Sequence, residues 1–398
     1  MENGADFGPF LLVFAAALLG AKLLGEIAQR LGQPSVLGEL VAGAVLGPSV
    51  LGLVPLTTSV LLVAEIGVVL LLFEVGLGTD LEELRRVGGS AISVAVVGMA
   101  LPLLGGFLIV RAAGFSSLVA LFAGAALTAT SISITARVLS ELKVLASREG
   151  QIILGAAVAD DVLGLVVLAV VTQIVRTGQV DVGVVLRSTG LAIAFLGLAL
   201  VIGIPVGHRL VGVVGTANVR GVLLASSFGF VMLIAYLAYR AGSAPIVGAF
   251  AAGLALARTN RRHDISRALN PVVDIFAPIF FVAIGAQVDV ARLNPFDPAN
   301  RFPLLLALGL TVVGVLGKFA AGFCAWGQVR RAFIGVGMIP RGEVGLIFAS
   351  IGRQTGGLPQ ELFVAVVLAV FATTFLTPPL LKLLRLPVLG DRGEAQKP

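Results

Sequence analysis

Residues 152–171 read IILGAAVADDVLGLVVLAVV, a run as long as the roughly 20 apolar residues that a helix needs to cross a lipid bilayer. The only charged residues in this run are the adjacent aspartates Asp160 and Asp161. One charge at the centre of a membrane helix costs about 2.5–3.5 kcal/mol on insertion, so charges there are functional by default. The run therefore predicts a membrane-spanning helix whose two aspartates carry a function.

The composition of the whole chain indicates the same class of protein. Of its 398 residues, 58% are hydrophobic and 13% are charged, whereas soluble domains contain about 25% charged residues. The 50 glycines fit this class, because small residues allow membrane helices to pack closely. Glycine, proline and charge clusters separate the apolar runs from one another. We therefore predict an all-α polytopic membrane protein with about 13 transmembrane helices.

The distribution of basic residues predicts the orientation in the membrane. The formal charge of +6 arises mainly in short loops between apolar runs, which indicates topology rather than a nucleic-acid partner. With the N-terminus outside, lysine and arginine are more than twice as frequent in the inner loops and C-terminal tail as in the outer segments. Because positive residues favour the inner side, we predict an external N-terminus and a cytoplasmic C-terminus. The sequence indicates no cofactor.

Segments of the first half of the chain recur in the second half in the same order. The pairs are GELVAGAVL (38–46) with GAFAAGLAL (248–256), GLGTD (76–80) with GAQVD (285–289), and VGMALPLLGGF (97–107) with VGVLGKFAAGF (313–323). An odd number of predicted spans separates the two members of the first pair, so the two copies cross the membrane in opposite directions. Inverted repeats are typical of secondary transporters, in which the binding site lies at mid-membrane between the copies.

The deepest charges predict an ion site rather than a purely structural contact. Lys318, in the second repeat, is the only lysine deep in a predicted span and is the expected partner of the aspartate pair. Neighbouring residues on a helix point about 100° apart, so one aspartate can face this lysine while the other faces a cavity. A simple buried salt bridge would account for Lys318 and only one carboxylate. A second buried carboxylate can hold a proton or a hard cation, and these compete for the same charge.

Two predicted spans contain residues that disfavour a continuous helix. TATSISIT (128–135) is β-branched and hydroxylic, and GMIPRGEVG (337–345) contains a proline and several glycines. Both read as unwound stretches that cross at mid-membrane beside a cavity. Thr130 and Ser131 would add oxygen ligands for a cation, although a kink without a ligand role is the alternative for both. Arg341 and Glu343 are expected to compensate the partial charges of the half-helix ends.

Several of these motifs resemble the NapA-type Na⁺/H⁺ antiporters of the bacterial monovalent cation:proton antiporter-2 family, to which NhaA is more distantly similar. The motifs are TATSISITARVL (128–139), GAAVADDVLGL (155–165), GSAPIVGAF (242–250), APIFFVAIG (277–285), the GK pair 317–318 and PRGEVGLIF (340–348). The resemblance covers nearly the whole chain. It implies an NhaA/NapA-like fold with inverted-topology repeats and two broken, crossing helices.

The resemblance also implies an assembly and roles for the charged residues. It implies a homodimer, in which a six-helix core of each protomer moves like an elevator against a dimerisation domain. Asp161 would be the main ion carrier, and Asp160 would pair with Lys318. Arrival of a proton or of Na⁺ would alternately form and break this pair. An Asp–Asp pair together with a lysine resembles the electrogenic members of the family.

The same resemblance implies that each domain is built from two separate segments of the chain. Residues 1–88 and 219–298 would form the dimerisation domain, and residues 89–178 and 299–386 would form the core transport domain. A linker helix at 179–218 would connect the two halves of the chain, and 387–398 would be a short cytoplasmic tail.

Together these features predict an electrogenic Na⁺/H⁺ antiporter of the bacterial inner membrane that serves pH homeostasis, with Na⁺ bound by Asp161 and Asp160. The same oxygens would accept Li⁺, and K⁺/H⁺ exchange is the alternative within the family. An intramembrane aspartyl protease is an alternative of another class, but adjacent aspartates on one helix cannot straddle a peptide bond. A cation channel is a further alternative, but it has no need of an inverted repeat.

Overall fold

The computed structural model describes residues 7–79, 81–177, 221–241, 244–341 and 358–384, with single positions or short stretches between 183 and 209 and at 345 and 348. The α-helices in these ranges are α1 (Phe7–Arg30), α2 (Ser35–Leu46), α3 (Thr58–Gly78), α4 (Leu81–Ala112), α5 (Ser117–Ala126), α6 (Ile132–Glu141), α7 (Arg148–Thr177), α8 (Val222–Arg240), α9 (Pro245–Ala257), α10 (Arg262–Gly285), α11 (Pro298–Ala321), α12 (Arg331–Gly337) and α13 (Gln360–Leu383). Short 3₁₀ turns follow α10 and α11. These ranges contain no β-strand, and the predicted all-α class is confirmed.

Seven helices within the described ranges are long and apolar enough to cross a membrane: α1, α3, α4, α8, α10, α11 and α13. Helices α2, α5 and α9 are apolar but shorter. The total of about 13 spans stays a prediction, because 184–189 and 349–357, among other stretches, lie outside the described residues. Most of the predicted linker helix 179–218 also lies outside them, although the described positions 197–199 and 201–207 are helical.

The chain divides into two compact units, each made from two separate segments. The first unit comprises Met1–Thr79 and Asp181–Asn294, and the second comprises Asp80–Val180 and Pro295–Pro398. The sequence places the first division nine residues later, after residue 88, since the charged residues that follow Asp80 read as a loop. They instead form the first turns of α4, which begins at Leu81. The roles of the two units as dimerisation and transport domains stay predictions.

In the first unit, glycines of the repeated segments make equivalent close contacts. A β-carbon at Gly43 of α2 would lie 2.1 Å from a backbone oxygen of α10, and one at Gly285 of α10 would lie 2.0 Å from a backbone oxygen of α2. The other two repeated segments have the same arrangement: β-carbons at Gly253 of α9 and Gly76 of α3 would each lie 2.3 Å from a backbone oxygen of the opposite helix. Only glycine permits such close backbone approach. These contacts support an internal repeat.

In the second unit, two helices are interrupted inside the apolar region. After α5 ends at Ala126, residues 127–131 are not helical, and α6 begins at Ile132. After α12 ends at Gly337, residues 338–341 are not helical, whereas positions 345 and 348 are. The predicted interruption of 337–345 is correct for 338–341 but wrong for positions 337 and 345, which are helical. The prediction for 128–135 is correct for 128–131 but wrong for 132–135, which are helical.

Both interruptions have local causes in the sequence. The hydroxyl of Thr128 donates to the carbonyl of Ala125 at 2.7 Å, so a side chain satisfies an acceptor that a continuous helix would use. In the second interruption Pro340 lacks the N–H that would continue the ladder. Both interruptions therefore leave backbone groups that need partners elsewhere.

Candidate ion-binding site

The two unwound segments satisfy each other's backbone groups. The backbone N–H of Ser131 donates to the carbonyl oxygen of Pro340 at 2.8 Å. The hydroxyl oxygen of Thr130 lies 3.2 Å from the carbonyl oxygen of Met338. Irregular backbone at membrane depth is tolerated only where protein or a cavity provides such partners. The two segments thus cross in direct contact, as the fold prediction requires.

Arg341 lies at this crossing, and its guanidinium is completely buried. Nη1 donates to the carbonyl oxygens of Ala129 at 3.2 Å and Thr128 at 3.4 Å, and Nη2 donates to that of Gly314 in α11 at 3.4 Å. The first two carbonyls follow the C-terminal end of α5, where the helix dipole places partial negative charge. Arg341 therefore contacts the end of α5, and its role in charge compensation stays a prediction. Glu343, the other residue expected to compensate half-helix charges, lies outside the described residues.

Asp160 of α7 is the centre of a fully buried polar cluster. Its Oδ2 accepts hydrogen bonds from the ammonium of Lys318 on α11 and from the hydroxyl of Thr130 at 2.6 Å. Both Asp160 and Lys318 have no solvent-exposed surface. A buried ion pair is tolerated only where good geometry and further hydrogen bonds offset the loss of hydration. Three separate elements of the second unit therefore converge on one carboxylate oxygen.

The aspartate pair offers further oxygens beside this ion pair. Oδ1 of Asp160 is buried and accepts no hydrogen bond from any residue that the structure describes. Asp161 is also buried, with 5% of its surface exposed. As successive residues of α7, the two carboxylates leave the helix about 100° apart. The pair thus presents carboxylate oxygens in two directions at the level of the helix crossing.

Ser131 lies in the same unwound segment, but its side chain makes a different contact. Its hydroxyl lies 3.1 Å from that of Ser133, and both are buried. Thr130 is therefore the predicted hydroxyl that contacts an aspartate directly, whereas Ser131 contributes its backbone N–H to the crossing. The oxygen of Thr130 could reach a cation that replaces the ammonium at Asp160.

Two glycines lie beside the buried side chains of Lys318 and Arg341, and the sequence alone did not indicate their role. A β-carbon at Gly98 of α4 would lie 3.3 Å from Cδ and 3.4 Å from Nζ of Lys318. One at Gly314 would lie 3.6 Å from Nη2 of Arg341. Gly98 and Gly314 occupy the same position in the repeated segments 97–107 and 313–323. The repeat therefore contained the signal, although only the fold shows that each glycine borders a buried cation.

The sequence model of the family described as "Sodium/hydrogen exchanger, transmembrane" matches residues 13–384. The chain belongs to the sodium/hydrogen exchanger family. It is therefore a multi-pass membrane protein of a transporter family, and the resemblance seen in the motifs is confirmed at this level. Membership also places the chain among transporters rather than enzymes, which sets aside the intramembrane protease.

Individual relatives in the sodium/hydrogen exchanger family match almost end to end. The high-affinity Na⁺/H⁺ antiporter NhaS3 of Synechocystis is 41% identical, with 96% of this chain and 92% of the relative covered. The Na⁺/H⁺-K⁺ antiporter GerN of Bacillus cereus is 36% identical, with 98% of both chains covered. Neither match leaves a large part of either protein unaccounted for.

A solved structure supports the fold. The sodium/proton antiporter MjNhaP1 of Methanocaldococcus jannaschii has a TM-score of 0.68, with 96% of this chain and 100% of that chain covered, at 20% sequence identity. At this identity the similarity concerns the fold alone. The predicted antiporter fold is thereby confirmed for this exchanger-family chain.

Proposed function

We propose that the protein is a secondary active antiporter that exchanges Na⁺ for protons at the site around Asp160 and Asp161. The observation that carries this proposal is the buried Asp160–Lys318 pair at the crossing of two unwound segments, with Asp161 next to it. Ionisable groups inside a membrane protein mark ion pathways and proton relays. The names of the relatives NhaS3 and GerN support Na⁺ and H⁺ as substrates.

The chemistry of the site provides the coupling. When the ion pair is formed, the ammonium of Lys318 donates a hydrogen bond to Oδ2 of Asp160. A cation that binds the carboxylates of Asp161 and Asp160 takes over the ammonium's role as counter-charge, and Thr130 supplies a further oxygen. As the cation arrives, one proton leaves the carboxyl group of Asp161 and one leaves the ammonium of Lys318, and both return when it departs. Because cation and protons compete for the same charge, the site carries one or the other at each crossing of the membrane.

The number of titratable groups favours electrogenic exchange. Asp160, Asp161 and Lys318 together can release more than one proton for each monovalent cation that binds. Charge therefore moves in each cycle, and an imposed membrane potential changes the rate. We further propose a homodimer that works by elevator-type alternating access in the bacterial inner membrane, with the N-terminus outside and the C-terminus cytoplasmic.

Potassium is the second candidate cation, because the name of GerN includes K⁺. A cation series distinguishes the two. Purified protein is reconstituted into liposomes with an acidic interior and a pH-sensitive dye, and Na⁺, Li⁺ or K⁺ is added outside. We expect Na⁺ and Li⁺ to collapse the pH gradient, with a rate that depends on an imposed membrane potential. Collapse by K⁺ alone would establish the second candidate, and no response to any cation would contradict antiport at this site.

The space at Gly98 leads to a prediction for transport. Gly98→Ala places a β-carbon 3.3–3.4 Å from the Lys318 side chain and 3.3 Å from the β-carbon of Ala321. Overpacking of this kind costs on the order of 1–3 kcal/mol, and here it opposes the position in which Lys318 reaches Asp160. We expect the rate of Na⁺-driven proton movement to fall by about fivefold or more, which corresponds to about 1 kcal/mol.

The matched control is Gly88→Ala on the same helix, because a β-carbon at Gly88 would meet nothing within 4 Å. We expect this variant to transport at the rate of the unmodified protein. If Gly98→Ala also does so, Lys318 does not need the space that Gly98 leaves.

A further inference from the structure

A cavity lies at one end of the second unit, away from the aspartate pair. It is formed where α11 and its 3₁₀ turn end, where α12 begins and where α13 ends. Its volume is about 500 Å³, which is within the range of small-molecule sites. Part of its wall is apolar and is formed by Phe323, Val329, Phe333 and Leu383.

Two adjacent arginines, Arg330 and Arg331, line the same cavity, and none of its described lining residues is acidic. Nη1 of Arg330 lies 3.5 Å from the carbonyl oxygen of Leu384, which directs this guanidinium to the wall formed by the end of α13. Arg331 is exposed and forms no ion pair with a residue that the structure describes. A guanidinium pairs with a phosphate through two parallel hydrogen bonds, so the cavity suits a phosphorylated ligand.

The surroundings of the cavity have the character of a membrane interface. Phe323, Trp326 and Leu383 are 52%, 62% and 80% exposed, which is unusual for large apolar side chains unless lipid covers them. The loop that carries Trp326 is fixed, because the backbone N–H of Trp326 donates to the hydroxyl of Ser90 at 2.9 Å. Tryptophan is enriched where membrane helices reach the headgroups.

Charge indicates which leaflet this end faces. Arg148 lies against Gly327 in the same loop, since its guanidinium would be 2.9 Å from a β-carbon there. Lys382 is in the last turn of α13. Together with Arg330 and Arg331, these residues outnumber the one described carboxylate nearby, that of Glu149, which accepts a hydrogen bond from the backbone N–H of Arg330 at 3.0 Å. This end of the unit is therefore basic, which is typical of the cytoplasmic side. The cytoplasmic leaflet has a negative surface potential that arises from anionic lipids.

We propose that this cavity binds the headgroup of an anionic glycerophospholipid. The phosphate pairs with the guanidinium groups of Arg331 and Arg330, and an acyl chain lies along Phe323 and Leu383. This site is separate from the ion site, and lipid binding there does not depend on the transported cation. A free phosphate would pair with the arginines but would leave the apolar wall uncovered, whereas a phospholipid contacts both.

The test measures lipid binding to the full chain in detergent after removal of bound lipid. Phosphatidylglycerol and phosphatidylcholine with identical acyl chains are added, and retained lipid is counted by native mass spectrometry. We expect preferential retention of phosphatidylglycerol. One arginine near an anionic headgroup contributes about fivefold in affinity, so Arg331→Gln should weaken phosphatidylglycerol binding by about that factor. Ala332→Phe fills the cavity without a change in charge and should abolish the preference.

The matched control is Arg301→Gln, which removes an exposed arginine from the first turns of α11, at the opposite end of that helix. We expect it to retain the preference of the unmodified protein. Equal losses from Arg301→Gln and Arg331→Gln would show diffuse attraction and overturn the site. So would equal retention of both lipids, or tight binding of inorganic phosphate that displaces phosphatidylglycerol. Arg331 is at the surface, so its variant tests the proposal even if Ala332→Phe fails to fold.

Discussion

Asp161→Asn is expected to abolish Na⁺-driven proton movement while the protein stays folded. The amide has nearly the shape of the carboxylate, but it has no negative charge to attract a cation and no proton to exchange. A buried neutral group costs less free energy than a buried charge, so the thermal stability should remain equal or increase. The liposome assay should show no pH response above that of empty liposomes, and a thermal melt in detergent should confirm folding.

The control for Asp161→Asn is the same chemical change at an exposed carboxylate. Asp264 lies in the first turn of α10 and is exposed. We expect Asp264→Asn to transport normally and to melt at the same temperature. Normal transport by Asp161→Asn would instead show that Asp161 is not the carrier.

A partner of the aspartate pair could be predicted from the sequence because membrane burial makes charges rare, whereas its pairing with Asp160 rather than Asp161 was implied only by the family resemblance. Lys318 is the only lysine deep in a predicted span, so the pairing required no knowledge of distances. The contacts of Arg341 could not be predicted in the same way. Its acceptors are backbone carbonyls at Thr128, Ala129 and Gly314, and only the crossing of two unwound segments brings these together. Every residue has a backbone carbonyl, so the sequence does not show which carbonyls accept a hydrogen bond from an arginine.

The helical residues 132–135 show why propensity failed inside this protein. Serine, threonine and isoleucine disfavour helices in water, partly because hydroxyls compete for backbone groups. Here the hydroxyl of Thr135 donates to the carbonyl of Gly337 at 2.8 Å, across the crossing, rather than to its own helix. With that hydroxyl occupied and water excluded, α6 forms despite its composition. Tertiary contacts therefore decided where the interruption ended.

Gly98 shows a different limit of the sequence. Its place beside Lys318 depends on the packing of α4 against α11, which no local pattern encodes. Like Gly98, the glycines that make the close contacts of the first unit, Gly43, Gly76, Gly253 and Gly285, lie in the repeated segments. A repeat preserves close approach in both copies, so it indicates which glycines bear contacts but not what those contacts are.

Lys318→Met is expected to lower both stability and the charge moved in each transport cycle. Methionine has a similar length and fits irregular gaps, so the main effect is loss of the ammonium. The carboxylate of Asp160 then stays buried with the Thr130 hydroxyl as its remaining described donor. Removal of one partner from a buried ion pair costs about 3–5 kcal/mol. Thermal melts measure the stability, and the response of liposome transport to an imposed potential measures the charge movement.

A double-mutant cycle separates the ion pair from general damage at the site. Asp160→Asn alone should also be destabilising, because it leaves the ammonium of Lys318 buried without its counter-charge. The double variant Asp160→Asn/Lys318→Met removes both charges, so its loss of stability should be smaller than the sum of the single losses, and its stability should approach that of the unmodified protein. Lys22→Met, at an exposed position of α1, controls for the loss of a lysine. Additive losses in the cycle, or unchanged charge movement in Lys318→Met, would mean that the pair does not couple the cation to the proton. If the pair forms and breaks in every cycle, the double variant recovers most of its stability and Lys318→Met moves less charge.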